Sequence, residues 1–457
     1  MRKKLISSLQ HYLQLDKDDL LKLILSSSIF FFIIGAYSIL RSLKTSVFLG
    51  FVGREYEPIV KMAGIAIAVP TMLLLAKTID LFKRHQVVFL FFGFYVCVTF
   101  AFAVIFAHPA YGVANTLTSP YRITGWAFEI FMDLFQALIV GTFWSFLNSI
   151  STPIFAEKSY GPIVAGSRIG GIITTFISWI LISKTMLPGT TTIPLLTALA
   201  GCFLLLAFYC MHLIIRLIPK SHMHGYEAAY EVEKKEQKTH KHTSVFEGLR
   251  LILTQPYVLG VFAMVFSYEV INIIFDYQMH VLMSLETNND ITAMSAFMMI
   301  YTGTFQILSL FFALFGTSAL LKRLGVKYSI LIMPFATMVL TIIPFLYPRL
   351  IPLFIVMVLL RALNYGFNTP LREMLFIPTT KDIQFKSKAW IESFGRTFSK
   401  TTGSSINFMA SKFAHASVFM ITCFSIGLSI IWACVALGVG KKYTTTIADN
   451  DVIGKSE

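Results

Sequence analysis

Charged and amide side chains recur at helical spacing inside the long apolar segments of this sequence. Arg41 and Lys44 are three residues apart, and Glu129, Asp133 and Gln136 follow at positions i, i+4 and i+7. Residues at these spacings lie on one face of an α-helix. Such cations can bind an anion, and such carboxylates can bind protons or pair with the cations. The spacing therefore predicts either ion pairs within the protein or a cavity that binds an anion.

Two segments of the second half repeat this arrangement with the opposite signs of charge. The residues are Glu269, Asn272 and Asp276 in the earlier segment, and Arg361, Asn364 and Asn368 in the later one. An ionisable group inside an apolar span costs roughly 2.5–3.5 kcal/mol or more unless it faces a partner or a water-filled cavity. We therefore expect each of these side chains either to pair across the helix bundle or to line such a cavity.

The cations near the apolar segments outnumber the carboxylates, which favours an anionic substrate. Arginine matches phosphate oxygens with two parallel hydrogen bonds, although carboxylate and sulfate anions satisfy the same reasoning. The predicted phosphate-binding set is Arg41, Lys44, Arg168, Arg361, Arg372, Arg396 and Lys400. The predicted coupling or gating set is Glu129, Asp133, Glu269 and Asp276, and the predicted polar lining of the cavity is Gln136, Asn272, Asn364 and Asn368.

The elements that must position these side chains are transmembrane helices. The 457 residues include only 14% charged residues, against about 25% in soluble domains, and the mean hydropathy is +0.70. Apolar runs of about 20 residues are long enough to cross a bilayer as helices. The sequence predicts an all-α polytopic membrane protein with twelve spans, near 23–41, 58–79, 87–107, 125–148, 162–183, 191–217, 256–279, 291–317, 328–347, 351–369, 393–413 and 416–438.

A long hydrophilic stretch divides these spans six and six, which is the layout of major-facilitator transporters. Lysine and arginine concentrate in alternate loops, so both termini are expected in the cytoplasm. The predicted parts are a cytoplasmic arm at 1–22, six-helix bundles at 23–217 and 255–438, a linker at 218–254 and a cytoplasmic tail at 439–457.

The sequence gives little support to an enzyme, a metal-binding protein or a nucleic-acid-binding protein. The sequence has no phosphate-binding P-loop, no HExxH, no GxSxG and no dinucleotide-binding glycine motif, so an enzyme is not expected. The five cysteines lie in apolar runs, and the four histidines of the linker fit a solvated segment better than a metal site. We expect no cofactor, no metal and no nucleic-acid partner, since the net charge of +14 mostly reflects cytoplasmic loops. The expected surroundings are a lipid bilayer, and the expected state is a monomer.

Three segments resemble the ATP/ADP translocase family, the nucleotide transporters of intracellular bacteria and plastids. The most specific is REMLFIPTTKDIQFKSKAWIESFGRTFSK, where the family has a K-E-M-x-Y-I-P element followed by K-x-K-A-x-I-D. The segment YSILRSLKTSVFLGFVGREYEPIVKM is similar to the end of the family's first span, and TFWSFLNSISTPIFAEKSYGPIVAGSRIGG is similar to its F-W-x-F-A-N region.

The resemblance implies a carrier of the bacterial inner membrane that moves nucleotides such as ATP and ADP by exchange or by cation-coupled import. The family's lysine at the end of the first span corresponds to Lys44, and its lysine in the K-E-M element is replaced by Arg372. Asp133 and Asp276 fall within about one residue of the family's glutamates in the fourth and seventh spans, which is about 100° around a helix. These departures leave open a proton-coupled major-facilitator carrier for GTP, other nucleotides or another small organic anion.

Overall fold

The computed structural model describes residues 16–82, 84–150, 153–184, 187–219, 247–312, 317–376, 378–379, 383, 387–411, 417–449, 451 and 453–454. Most of the predicted N-terminal arm, most of the predicted linker with its four histidines, and parts of the segment after Arg372 lie outside these residues. Within them the chain is almost entirely helical, and the only pairing of the β type is an isolated parallel bridge between Thr379 and Ile453.

Eighteen α-helices follow one another along the described residues. Those before residue 220 are α1 (Lys17–Phe51), α2 (Glu57–Leu81), α3 (Arg84–Ala107), α4 (Ile123–Asp133), α5 (Gly141–Ser149), α6 (Pro153–Lys184) and α7 (Gly189–Leu217). Those after residue 246 are α8 (Glu247–Thr254), α9 (Pro256–Glu286), α10 (Ile291–Phe311), α11 (Thr317–Ser329), α12 (Ile332–Leu340), α13 (Ile342–Leu346), α14 (Leu350–Leu363), α15 (Thr369–Leu375), α16 (Lys388–Trp390), α17 (Arg396–Ala410) and α18 (Ser417–Ala448).

Nine helical stretches of the described chain are long and apolar enough to cross a membrane, and a pair bent by 67° around residue 330 makes up to ten. These helices confirm the predicted all-α polytopic class. The predicted span 58–79 is also helical, as part of α2, and the predicted span 393–413 is helical up to Ala410, the end of α17. Both lie outside this set of nine or ten.

Three π-helical turns interrupt the helices next to predicted site residues. The first, π1, spans Gln136–Val140 between α4 and α5, and the second, π2, spans Asn364–Asn368 between α14 and α15. The third, π3, spans Ile391–Gly395 directly before α17. A π-turn inserts one extra residue into a helix and occurs frequently at functional sites. It therefore changes which side chains share a face, in a way that a strict 3.6-residue period does not anticipate.

The described helices divide into two compact units. Unit 1 consists of Met1–Phe51, Pro70–His242 and Ile291–Gly303, and unit 2 consists of Val52–Val69, Thr243–Asp290 and Thr304–Glu457. In unit 1, α1 packs on α6 and α7, and in unit 2, α9 packs on α17 and α18. The six-and-six division at the linker remains a prediction.

Each unit contains a glycine where two helices meet closely. A Cβ at Gly170 of α6 would lie 2.5 Å from the carbonyl oxygen of Phe31 in α1, and a Cβ at Gly403 of α17 would lie 2.9 Å from that of Val270 in α9. Real Cβ atoms essentially never come closer than 3.0 Å to such atoms. The two helix pairs therefore depend on glycine for their separation.

The loop before α4 is built around Arg122, the one arginine of a loop otherwise free of lysine and arginine. Its guanidinium donates hydrogen bonds to four backbone carbonyls of the loop, at 2.8–3.2 Å, and stacks 3.5 Å from the centre of the Phe51 ring. Burial lowers the pKa of Arg122 below its ordinary value. This arginine therefore has a structural role, which explains its presence in the loop without reference to topology.

Candidate functional site

In unit 1, Lys44 of α1 lies between two carboxylates of α4. Its Nζ is 2.8 Å from Oε1 of Glu129 and 2.8 Å from Oδ1 of Asp133. The side chain of Glu129 is only 2% exposed, whereas that of Asp133 is 40% exposed. Because Glu129 and Asp133 are four residues apart in one helix, they share a helix face, as the sequence spacing predicted, and both reach the same ammonium group. The lysine position implied by the family resemblance is thus the centre of an ion-pair cluster.

Two aromatic rings lie near Arg41, which precedes Lys44 on α1. Tyr37 lies one helical turn before Arg41 on α1, and the guanidinium of Arg41 is 5.9 Å from the centre of its ring. The ring of Tyr37 in turn lies 5.3 Å from that of Phe135, the residue that directly precedes π1. Gln136, the first residue of π1, is exposed. The π-turn therefore begins three residues after Asp133, at the edge of the charged cluster.

In unit 2, the cation at the centre of the corresponding cluster is Arg361 of α14. Its Nη2 donates a hydrogen bond to Oδ2 of Asp276 at 2.8 Å, and its Nε donates to Oδ1 of Asn272 at 3.4 Å. Both partners belong to α9 and lie four residues apart, so they present their oxygens to one guanidinium. Arg361 is buried, with 4% exposure. The structure thus brings together three of the side chains that the sequence singled out.

Two further titratable side chains join Asp276 in unit 2. His280, one turn later on α9, places its Nδ1 2.8 Å from Oε1 of Glu57 in α2 and its Nε2 3.8 Å from Oδ1 of Asp276. Sequence reasoning missed both residues. His280 could have been found because it continues the polar stripe at i+4 from Asp276, but Glu57 lies beside Arg54 and Glu55 and looks like part of a polar loop.

A third cluster links the two ends of the family-like segment. Arg372 of α15 donates to Oε1 of Glu392 at 3.1 Å, and Nε of Arg396 lies 2.8 Å from Oε2 of the same carboxylate. Nη1 of Arg396 also lies 3.5 Å from Oε1 of Glu269 on α9. Glu392 belongs to π3 and was not among the predicted site residues. One carboxylate therefore holds two arginines that are 24 residues apart in the chain.

The remaining predicted residues do not join these clusters through the contacts described above. Arg168 is half-buried in α6, and Lys400 is exposed on α17. Asn364 and Asn368 bracket π2, where the amide of Asn368 donates to the side-chain oxygen of Asn364 at 2.9 Å. The described residues contain no group of three or more His, Cys, Asp or Glu side chains arranged to hold a metal ion.

The clusters share one chemical property. At the centre of each cluster a cation contacts a carboxylate, as Lys44, Arg361 and Arg396 do, and none of these contacts aligns a nucleophile with a base for bond making. An anion with several oxygens can replace a carboxylate at a guanidinium or an ammonium group, because phosphate oxygens accept the same charge-assisted hydrogen bonds. The arrangement therefore suits reversible anion binding coupled to the breaking and re-forming of ion pairs.

Comparison with known proteins decides the family. Residues 2–351 match the sequence profile of the TLC ATP/ADP transporter family. The chain belongs to this family. The family consists of transporters, so the expectation that the protein is not an enzyme is confirmed. The suspected resemblance to ATP/ADP translocases is confirmed as well.

Curated relatives cover nearly the whole chain. ADP,ATP carrier protein 3 of Rickettsia bellii (strain RML369-C) is 23% identical over an alignment of 470 positions, gaps included, which covers 89% of this chain and 92% of the relative. ADP,ATP carrier protein 1 of Rickettsia prowazekii (strain Madrid E) is also 23% identical over an alignment of 470 positions, which covers 91% of this chain and 92% of the relative. Family membership thus extends beyond the three segments that first indicated it.

Solved structures of transporters share the fold. The nucleoside transporter NupG aligns with a TM-score of 0.57 at 14% identity, over 94% of this chain and 99% of NupG. A bacterial homolog to the human lysosomal transporter Spinster, inward-facing and unoccupied, aligns with a TM-score of 0.60 at 11% identity, over 94% and 99% of the two chains. At these identities the likeness concerns the fold alone, and it confirms the predicted major-facilitator-like class.

Proposed function

We propose that this protein carries nucleotides across a membrane by alternating access, with the phosphates bound by cations that otherwise pair with carboxylates. The observation that carries the proposal is the Arg361–Asp276 pair of unit 2, in which a buried guanidinium fork is held by a carboxylate at 2.8 Å. Membership of an ATP/ADP transporter family supports the substrate class. The Lys44 cluster of unit 1 offers a second cation held in the same way.

Physical reasons favour such pairs in a carrier. A buried charge without a partner costs several kcal/mol, so an empty carrier needs carboxylates to hold its substrate-binding cations. When phosphate arrives, it takes the place of the carboxylate at little net electrostatic cost, since one anion replaces another. Breaking one set of ion pairs while forming another is also how a two-state helical protein can change conformation. Substrate binding and conformational change thus use the same contacts.

Two modes of coupling are compatible with this site. In the first, ATP exchanges for ADP, and the carrier returns only when a nucleotide is bound. In the second, a proton accompanies GTP, another nucleotide or another small organic anion. Arg372 in place of the family's lysine, and the two aspartates beside the family's glutamate positions, motivate the second mode. The experiment below distinguishes them.

We also propose the bacterial inner membrane as the location, a monomer as the working state and the cytoplasm as the side of both termini. The concentration of lysine and arginine in alternate loops supports this topology. A green fluorescent protein fused behind the tail should fluoresce, and an alkaline phosphatase at the same place should be inactive. Light scattering of the detergent-solubilised protein should give the mass of one chain. A periplasmic C-terminus would overturn the topology.

Transport by the purified protein in liposomes tests the function. Uptake of labelled ATP, GTP and UTP should be measured with and without internal ADP, and with and without a protonophore. Uptake that needs internal ADP and resists the protonophore indicates exchange, and uptake abolished by the protonophore indicates proton-driven import. Lys44→Gln should lose transport, whereas Lys441→Gln, on the exposed face of α18, should not. Absence of nucleotide uptake by the wild-type protein would refute the proposal.

A further inference from the structure

The buried histidine of unit 2 has a carboxylate on each side of its ring. Nδ1 of His280 lies 2.8 Å from Oε1 of Glu57, which is hydrogen-bond distance. We therefore assign the proton of the neutral imidazole to Nδ1, whose N–H group donates a hydrogen bond to that carboxylate. Nε2 then holds the lone pair. It lies 3.8 Å from Oδ1 of Asp276 and makes no hydrogen bond to any residue that the structure describes. His280 itself is only 3% exposed. The imidazole therefore has one vacant proton-binding atom, which faces a carboxylate.

The charges around His280 come from several elements. Glu57 and Asp276 flank its ring, and Arg361 of α14 binds the second oxygen of Asp276. A small cavity lies beside Glu57 and Asp276. Its walls include Lys61, one turn after Glu57 on α2, and Tyr277. Arg54 lies farther along, where its Nη1 is 3.4 Å from the hydroxyl of Ser284. Of the charged groups named here, the two carboxylates lie within 4 Å of the imidazole nitrogens, and a carboxylate at that distance attracts the protonated ring.

A small cavity reaches this cluster. Its volume is about 10 Å³, roughly the space of one water molecule, and both Glu57 and Asp276 line it. Oε2 of Glu57 is buried and has no hydrogen-bond partner among the described residues. Ser404 and Asn407 of α17 supply further polar groups to the walls. A nucleotide does not fit here, whereas a water molecule that delivers a proton does.

We infer that Glu57, His280 and Asp276 form a proton-binding site whose occupancy controls the ion pair between Asp276 and Arg361. This inference rests on the proposed function, because it assigns the coupling ion of the same carrier. A hydronium ion of the medium gives up its proton to Nε2, so that one O–H bond breaks, one N–H bond forms and a neutral water molecule remains. The imidazolium then attracts Oδ1 of Asp276, in competition with Arg361 on Oδ2. Protonation thereby weakens the hold of Asp276 on Arg361 and makes the guanidinium available to a phosphate.

Linkage makes this coupling reciprocal. If a proton at His280 favours phosphate at Arg361, then phosphate at Arg361 favours the proton at His280 by the same factor. Nucleotide affinity should therefore rise as the pH falls, and nucleotide binding should take up a proton from the medium. A carrier with this linkage moves protons and nucleotides in the same direction. The site thus specifies the proton-driven mode among the two modes of the proposed function.

Binding of labelled ATP to the purified protein across a pH series tests the inference, together with a pH-indicator dye that reports proton uptake. The wild-type affinity should rise roughly tenfold between about pH 8 and about pH 6. His280→Gln cannot bind the proton, so its affinity should not change with pH. Glu57→Gln keeps the imidazole but removes one carboxylate, so the midpoint of its pH profile should move to lower pH. His212→Gln, in α7 of unit 1, is the matched control and should retain the wild-type profile.

The outcomes separate this inference from the proposed function. Wild-type protein that binds ATP without pH dependence overturns the inference and leaves the proposed function standing. So does a His280→Gln variant that retains the wild-type pH profile. Wild-type protein that binds none of ATP, GTP and UTP overturns the proposed function, and the inference with it. Thermal unfolding with and without ATP shows whether each variant is folded, and Glu57→Gln supplies the test if His280→Gln is not.

Discussion

The Lys44 cluster of unit 1 and the Arg361 cluster of unit 2 have the same plan with the signs of charge exchanged. In unit 1, the long helix α1 supplies the cation and α4 the carboxylates. In unit 2, the long helix α9 supplies the carboxylate and α14 the cation. In both, a π-turn begins three residues after the charged side chain, Asp133 in one and Arg361 in the other. An ion pair is equally favourable with either polarity, so the plan can persist while the residues differ.

The difference lies in what surrounds each pair. Asp133 is 40% exposed, whereas Asp276 is 15% exposed. Lys44 offers a single ammonium group, whereas the guanidinium of Arg361 has several hydrogen-bond donors and also contacts Asn272. In the described residues, a histidine beside the carboxylate occurs only in the unit 2 cluster. In the proposed carrier, unit 2 therefore supplies the stronger phosphate ligand and the proton-sensitive one, while unit 1 supplies a simpler cation.

The largest expected effect is the loss of stability when the buried pair of unit 2 is broken. Arg361→Leu leaves Asp276 without its cation, which should lower the free energy of unfolding by about 3–5 kcal/mol. Lys44→Leu should cost a similar amount, because it removes the ammonium group from Glu129, which is only 2% exposed, although Asp133 is accessible to solvent. Thermal unfolding in detergent measures both. The double variant Arg361→Leu with Asp276→Leu should recover most of the lost stability without recovering transport, and an Arg361→Leu variant as stable as the wild type would contradict the importance of the buried pair.

Helix packing should show a smaller difference between the units. Gly170→Ala places its methyl group against the backbone of Phe31, and Gly403→Ala places it against that of Val270 with slightly more room. Overpacking of this kind costs about 1–3 kcal/mol, and we expect the larger loss at Gly170. Gly93→Ala is the matched control, since nothing lies within 4 Å of a Cβ there. If all three variants unfold at the same temperature, the helices at Gly170 and Gly403 are not packed closely enough to exclude a methyl group.

The smallest expected effect concerns Arg372, which stands where the family has lysine. Arg372→Lys keeps the charge but offers one ammonium group in place of a planar fork to Glu392. We expect a stability change below about 1 kcal/mol and a change of a few fold in apparent ATP affinity in liposome uptake. A complete loss of transport would mean that the guanidinium geometry at Arg372 is essential, and that this cluster ranks with that of Arg361.

Sequence spacing predicted much of the candidate site in this protein, because charged residues inside apolar spans are rare and need partners. It predicted that Glu129 with Asp133, and Asp276 with Asn272, share helix faces, and the structure brings each pair to one cation. It could not predict the pairings themselves, since Lys44 and Asp133 are 89 residues apart. Glu392 and Glu57 were missed because π3 and the start of α2 resemble loops in sequence. The π-turns also have no periodic pattern in the sequence, so their positions could not be predicted from it.

The most direct test of the phosphate role is the affinity of the purified carrier for adenosine, AMP, ADP and ATP, in the wild type and in Arg361→Gln. If cations released from carboxylates bind the phosphates, wild-type affinity should increase with the number of phosphates. The variant should then bind ATP roughly ten- to a hundredfold more weakly, with adenosine unaffected. A variant that loses affinity equally for adenosine and ATP would contradict this account and leave Arg361 with a purely structural role.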